Sequence, residues 1–189
     1  MMTALSSGEI IGLLGVVGGS IGFTVGLYQY YIAQKWKRSE FAASLLDEFA
    51  NDERLSTCCK RLDYSTRTLP VPKQYSALTS DTTFLHNWDA LIRGMKHESE
   101  LARFDWQETL YRDLFDYFFS YLERVNHYIN IRLIDTHDVA SLIYWVEQVS
   151  SPRFVTEPVF IDFIKQYGYV GVIELMEKFH IKQSKAPTY

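Results

Sequence analysis

The hydrophobic pattern begins with an uncharged run. No Asp, Glu, Lys or Arg lies between Glu9 and Lys35, and Ile10 to Ile32 is dominated by Ile, Leu, Val, Phe and Gly. As a helix the 25 residues Ile10 to Gln34 would reach about 37 Å, against about 30 Å of bilayer hydrocarbon. The pattern predicts a transmembrane helix over residues 10–34. A signal peptide would need a basic segment before the apolar run and a small-residue cleavage site after it, and the first 34 residues hold no Lys or Arg. Tyr28, Tyr30, Tyr31 and Trp36 read as interfacial aromatics, and Lys35, Lys37 and Arg38 as the positive flank that holds the C-terminal side in the cytoplasm. The expectation is a single-pass membrane protein: residues 1–9 outside, an all-α cytoplasmic domain over 35–180, and a polar tail over 181–189.

Within that run Gly8, Gly12, Gly15, Gly19, Gly22 and Gly26 recur at steps of 4, 3, 4, 3 and 4. At about 100° per residue they fall in one stripe. Gly18 adds overlapping GxxxG steps to Gly22 and Gly26. Such a stripe lets helix backbones approach closely, so the expected assembly is a homo-oligomer joined through these glycines. Ser20 and Thr24 fall nearly opposite, where they are expected to bond to their own backbone carbonyls.

Past Trp36 the apolar positions Phe41, Leu45 and Phe49 step by four, so the helix should continue until Asn51 and Asp52 break it. A second helix over Glu53 to Tyr64 presents Leu55, Cys58, Cys59 and Leu62 on one face. Residues 66–80, with Pro70 and Pro72, read as a loop, and Asp81 as the cap of a helix with Leu85, Trp88, Ile92 and Met95. The longest helical signal follows Asp105, which forms a D-x-x-E capping pair with Glu108. Leu110, Leu114, Phe118, Tyr121, Val125 and Ile129 then hold one face of a central helix. Thr136 should cap a helix stopped by Pro152, Thr156 and Pro158 should open another ended at Gly168, and Tyr169 to Phe179 the last. No long strand alternation appears, and the predicted fold is all-α.

Composition narrows the chemistry. Aromatics at 15% and apolar residues at 47% predict a folded chain, and a net charge of -4 is not that of a nucleic-acid polymer binder. Cys58 and Cys59, the two cysteines, cannot form a disulfide framework and read as buried small hydrophobes in a reducing compartment. Glu123 with His127, and Asp135, His137 and Asp138, match neither the dinuclear carboxylate nor the zinc-peptidase pattern, and no metal site is expected. No P-loop, dinucleotide fingerprint or nucleophile elbow is present, so no cofactor and no enzymatic activity is expected. Lys60, Arg61 and Arg67, in the run KRLDYSTR, form a candidate anion-binding group, beside the alternative of a solvated helix end.

The run WKRSEFAASLLDEFANDERL from Trp36, RLDYSTR from Arg61 and FFSYLERVNHYINIRLIDTHDV from Phe118 resemble in layout uncharacterised bacterial single-pass membrane proteins with a small helical cytoplasmic domain. The resemblance implies a bacterial inner-membrane setting and carries over no catalytic residue. It leaves two expectations. The first is a membrane-anchored helical scaffold that self-associates through its glycines, with the bilayer, further copies and a cytoplasmic protein as partners. The second is an oligomeric effector whose cytoplasmic domain senses a nucleotide or other anion, a format similar to that of some antiphage effectors.

Overall fold

The computed structural model describes residues 7–100, 103–154 and 158–181, the side chains of residues 7, 9–11 and 13 excepted. Two compact units divide the chain, Met1–Phe41 and Ala42–Tyr189. The described part of the first unit belongs to helix α1 (Ser7–Asn51). Ser20 Oγ donates to the Val16 carbonyl and Thr24 Oγ1 to that of Ser20, each at 2.8 Å, so both hydroxyls serve their own helix.

Among the described residues no helix is long and apolar enough to cross a membrane. The transmembrane helix over 10–34, the single-pass inner-membrane setting, the outside N-terminus and the cytoplasmic placement of the rest are corrected by that finding. Ahead of the tyrosines, the described apolar side chains of α1 run from Leu14 to Leu27, about 20 Å of helix. Glycines, Ser20 and Thr24 dilute them, and Tyr28, Gln29, Tyr30 and Tyr31 follow. Residues 1–6 and the side chains of Ile10, Ile11 and Leu13 lie outside the described residues.

In the second unit the predicted helices largely stand, and the reasons are local. Asp52 ends α1 and caps α2 (Glu53–Asp63), its carboxylate accepting the N–H groups of Arg54 at 2.8 Å and Leu55 at 3.1 Å. Leu55, Cys58, Cys59 and Leu62 are buried on one face, as their spacing requires. Helix α4 (Trp106–Asn130) opens on the predicted capping box between Asp105 and Glu108. Helix α6 (Val159–Tyr167) ends at Gly168, whose φ of 77° is the left-handed conformation a glycine adopts without strain. Helix α7 (Val170–Lys178) follows it. The expected capping role of Thr156 and the tail beyond residue 181 lie outside the described residues.

Three local expectations change. Strands β1 (Thr68–Pro70) and β2 (Thr83–Leu85) pair antiparallel where a loop and the start of a helix were expected, with buried Leu69 opposite buried Phe84. Helix α3 (Trp88–Gly94) therefore starts later, and its cap is Asn87 rather than Asp81. A 3₁₀ turn over Thr136–Leu142 precedes α5 (Ile143–Ser150), and its capping box joins Asp135 to Asp138, so Thr136 is not the cap.

Helix α4 lies at the centre, with α2, α3 and α7 packed against it. Phe115, Phe118, Phe119 and Tyr121 are all buried, which accounts for an aromatic content beyond what one stripe could hide. Phe115 meets Phe160 of α6 at 4.7 Å between ring centroids, and Tyr121 donates its hydroxyl hydrogen to the Leu45 carbonyl at 2.7 Å. This part of the fold is an all-helical core carrying one small ribbon.

Candidate functional site

Helix α2 turns Arg61 inward. It lies one helical step, i+3, from buried Cys58, and burial of the helix face carries it under the β1–β2 ribbon. The side chain is fully enclosed, with 0% relative exposure. Its guanidinium stands 4.0 Å from the Phe84 ring centroid and 5.4 Å from that of Tyr111, a stacking arrangement suited to arginine. Among the described residues no hydrogen-bond partner reaches its Nε, Nη1 or Nη2. Burial holds the guanidinium down to about 10, with the neighbouring Tyr111 and Cys58 opposing that shift.

His86, carried just beyond β2, completes the cluster. Its Nδ1 lies 2.9 Å from the Tyr111 hydroxyl, and that hydroxyl also accepts the Asn87 N–H at 3.0 Å. The Tyr111 hydrogen is then best used toward Nδ1, which assigns the ring proton to Nε2. That Nε2 is buried without a partner, as is the indole Nε1 of Trp88, whose ring meets His86 at 4.6 Å. Arg61, which packs on Tyr111, and His86 and Trp88, which follow from Tyr111 in a chain of ring contacts, therefore leave five nitrogens without a partner among the described residues, all donors. Buried polar groups are normally paired, and an unpaired buried charge costs several kcal/mol.

Burial and then the Arg61 charge push the His86 pKa down to about 3. The unfolded chain binds this proton near 6.5 and the folded chain does not, so stability falls as pH drops from about 6.5 toward 3. At pH 5 the loss from His86 alone is about 2 kcal/mol. Denaturant midpoints measured between pH 7 and 5 should show this slope, and His86→Gln should flatten it.

The other candidates separate. Lys60 is half-buried and Arg67 exposed over the Tyr64 ring at 4.5 Å, so the expected trio is not brought together, and Arg61 stands apart from it. Burial pushes both the Cys58 and Cys59 thiols up, leaving poor nucleophiles. Glu123 accepts the N–H groups of Gly171 and Val172 at the start of α7, while His127 is exposed. Among the described residues no group of three His, Cys, Asp or Glu side chains is placed to hold a metal ion.

On α1, a Cβ at Gly8, Gly12, Gly15, Gly18, Gly19, Gly22 or Gly26 would meet nothing within 4 Å among the described residues. The large side chains between them stand out, Val16 and Phe23 each 68% exposed. Tyr28, Tyr30, Tyr31, Lys35, Trp36 and Lys37 are exposed as well, and Arg38 is half-buried. His86, Trp88 and Tyr111 had no signal in the sequence, because only the tertiary fold links them, Tyr111 against Arg61 and His86, and His86 against Trp88. No family model matches the chain, and neither a curated protein nor a solved structure is significantly similar to it.

Proposed function

We propose that this chain is a self-associating helical interaction protein, with the glycine-bearing part of α1 as the contact between copies. The observation that carries the reading is the uncovered apolar surface of this part of α1, where Val16 and Phe23, each 68% exposed, flank the open glycine stripe. Burying one Val, Leu, Ile or Phe side chain contributes about 1.5 to 3 kcal/mol, so a helix that leaves so many uncovered favours a partner helix strongly. A second copy suits the pattern because glycines at alternating three- and four-residue steps admit a like stripe. Backbones in such contact gain dispersion and weak Cα–H hydrogen bonds that a larger residue would prevent. The pairing is self-complementary, each stripe resting on its counterpart.

Light scattering on the full-length chain tests this. The wild type should have the mass of an oligomer, and Gly15→Leu, Gly19→Leu and Gly22→Leu combined should reduce it to that of a single chain. Val17→Leu, on the far side of the helix, should leave the mass unchanged. A wild type of single-chain mass, or a triple variant that assembles normally, would refute the reading.

A further inference from the structure

We propose that the buried cluster of Arg61, His86, Trp88 and Tyr111 is a binding site for a small oxyanion, a phosphate or carboxylate group held by the Arg61 guanidinium and the flanking N–H donors. Three observations converge on that chemistry. The first is charge: Arg61 is fully buried, and no carboxylate forms an ion pair with it among the described residues. A guanidinium taken out of water without a counter-charge is a costly arrangement, and aromatic faces offset only part of that cost.

The second is the sign of the unmet hydrogen bonds. Of the buried side-chain atoms without a partner among the described residues, Arg61 Nε, Nη1 and Nη2, His86 Nε2 and Trp88 Nε1 belong to this one cluster. With the His86 proton on Nε2, all five donate and none accepts. A neutral ligand with mixed donors and acceptors would leave donors facing donors. An oxyanion presents only acceptors, and a guanidinium fork matches two of its oxygens at once.

The third is neutrality elsewhere. His86 is held uncharged by its burial and by Arg61, and Tyr111 keeps its proton because burial raises its pKa. The site therefore carries a single positive charge, matched to one anionic group. Arg61 has no exposed surface, so the site is closed as described. Trp88 is half-buried and meets the exposed Phe154 at 6.0 Å between ring centroids. Binding is coupled to movement of this pair, which makes the anion a ligand that can bias the conformation of α3 and the ribbon.

Thermal unfolding and calorimetric titration of the full-length chain at constant ionic strength test the proposal, with inorganic phosphate, ADP, acetate and, as a control, chloride. Phosphate, ADP or acetate should raise the unfolding midpoint and bind, whereas chloride should not. A response to phosphate and ADP alone assigns a phosphoryl group, and a response to acetate alone a carboxylate. Arg61→Met should abolish the response and, by removing an unpaired buried charge, raise the midpoint without anion. Trp88→Phe keeps an aromatic ring but removes one donor, so it should weaken binding about fivefold, which serves as the test should Arg61→Met fail to fold. No response to any oxyanion in the wild type, an equal response in Arg61→Met, or unchanged affinity in a folded Trp88→Phe would overturn the assignment.

Discussion

Phe115→Ala should lower the stability of the helical unit by about 3 to 5 kcal/mol. The ring is wholly enclosed and lies within 6.3 Å, centroid to centroid, of Phe118, Phe119 and Phe160. Those neighbours belong to α4 and α6, so the lost volume falls where two helices meet and neither can close the gap without shifting the other. The aromatic pairs add to the transfer term, since tilted and edge-on rings contribute about 0.5 to 1.5 kcal/mol beyond area alone. Most domains hold only about 5 to 15 kcal/mol in all, so this change should consume a large share. In a urea titration it should appear as a lower midpoint at constant slope. A midpoint within experimental error of wild type would contradict the packing described.

Gly94→Val should cost about 3 kcal/mol, although the change adds apolar volume to a buried position. A Cβ at Gly94 would sit 2.6 Å from the Glu108 carbonyl oxygen, a backbone atom in the first turn of α4 that cannot rotate away. Arg112 fixes the same junction, donating to the carbonyls of Gly94 at 3.0 Å and Lys96 at 2.9 Å. Relieving the clash means moving the end of α3 off α4, which also breaks those bonds. Gly168→Ala makes an instructive contrast, because nothing crowds that position and its cost would come from the φ of 77° alone. If Gly94→Val matched the wild type in denaturant, the close approach of α3 and α4 would be wrong.

How much of this was legible in the sequence depended on whether the determinant was local. The capping box at Asp105 and Glu108, the stop at Asp52 and the left-handed Gly168 each involve residues within one turn of each other, and each lies where the pattern put it. The β1–β2 ribbon was missed because strands of three residues are too short to display alternation, and Leu69 faces Phe84 only through pairing across the intervening loop. The membrane expectation failed for another reason. It rested on the length, apolar dominance and absence of charge of the run over 10–34, whereas among the described residues that run is interrupted by glycine, Ser20, Thr24 and Gln29 and no helix is long and apolar enough to cross a membrane.

The Arg61 cluster was half legible. KRLDYSTR drew notice as a charge run, but its helical phase places Arg61 beside Cys58, on the flank of the apolar face, and Lys60 a full step further round. Reading phase as well as charge would have singled Arg61 out. Nothing in the sequence joined it to Tyr111 of α4, or Tyr111 through His86 to Trp88 of α3. Their meeting is a property of the packed state.

The central claim, that copies meet along the glycine stripe of α1, is tested most directly by disulfide trapping. A disulfide needs Cα atoms about 4.4 to 6.8 Å apart, so it forms only where two backbones come close. The native Cys58 and Cys59 are buried with raised thiol pKa values and give little background. Single cysteines introduced as Gly15→Cys, Gly19→Cys and Gly22→Cys in the full-length chain should yield covalent dimers under mild oxidation, while Val17→Cys and Thr24→Cys, on the opposite side, should remain monomeric on a denaturing gel. Dimers at all five positions alike, or at none of the three glycines, would contradict the account.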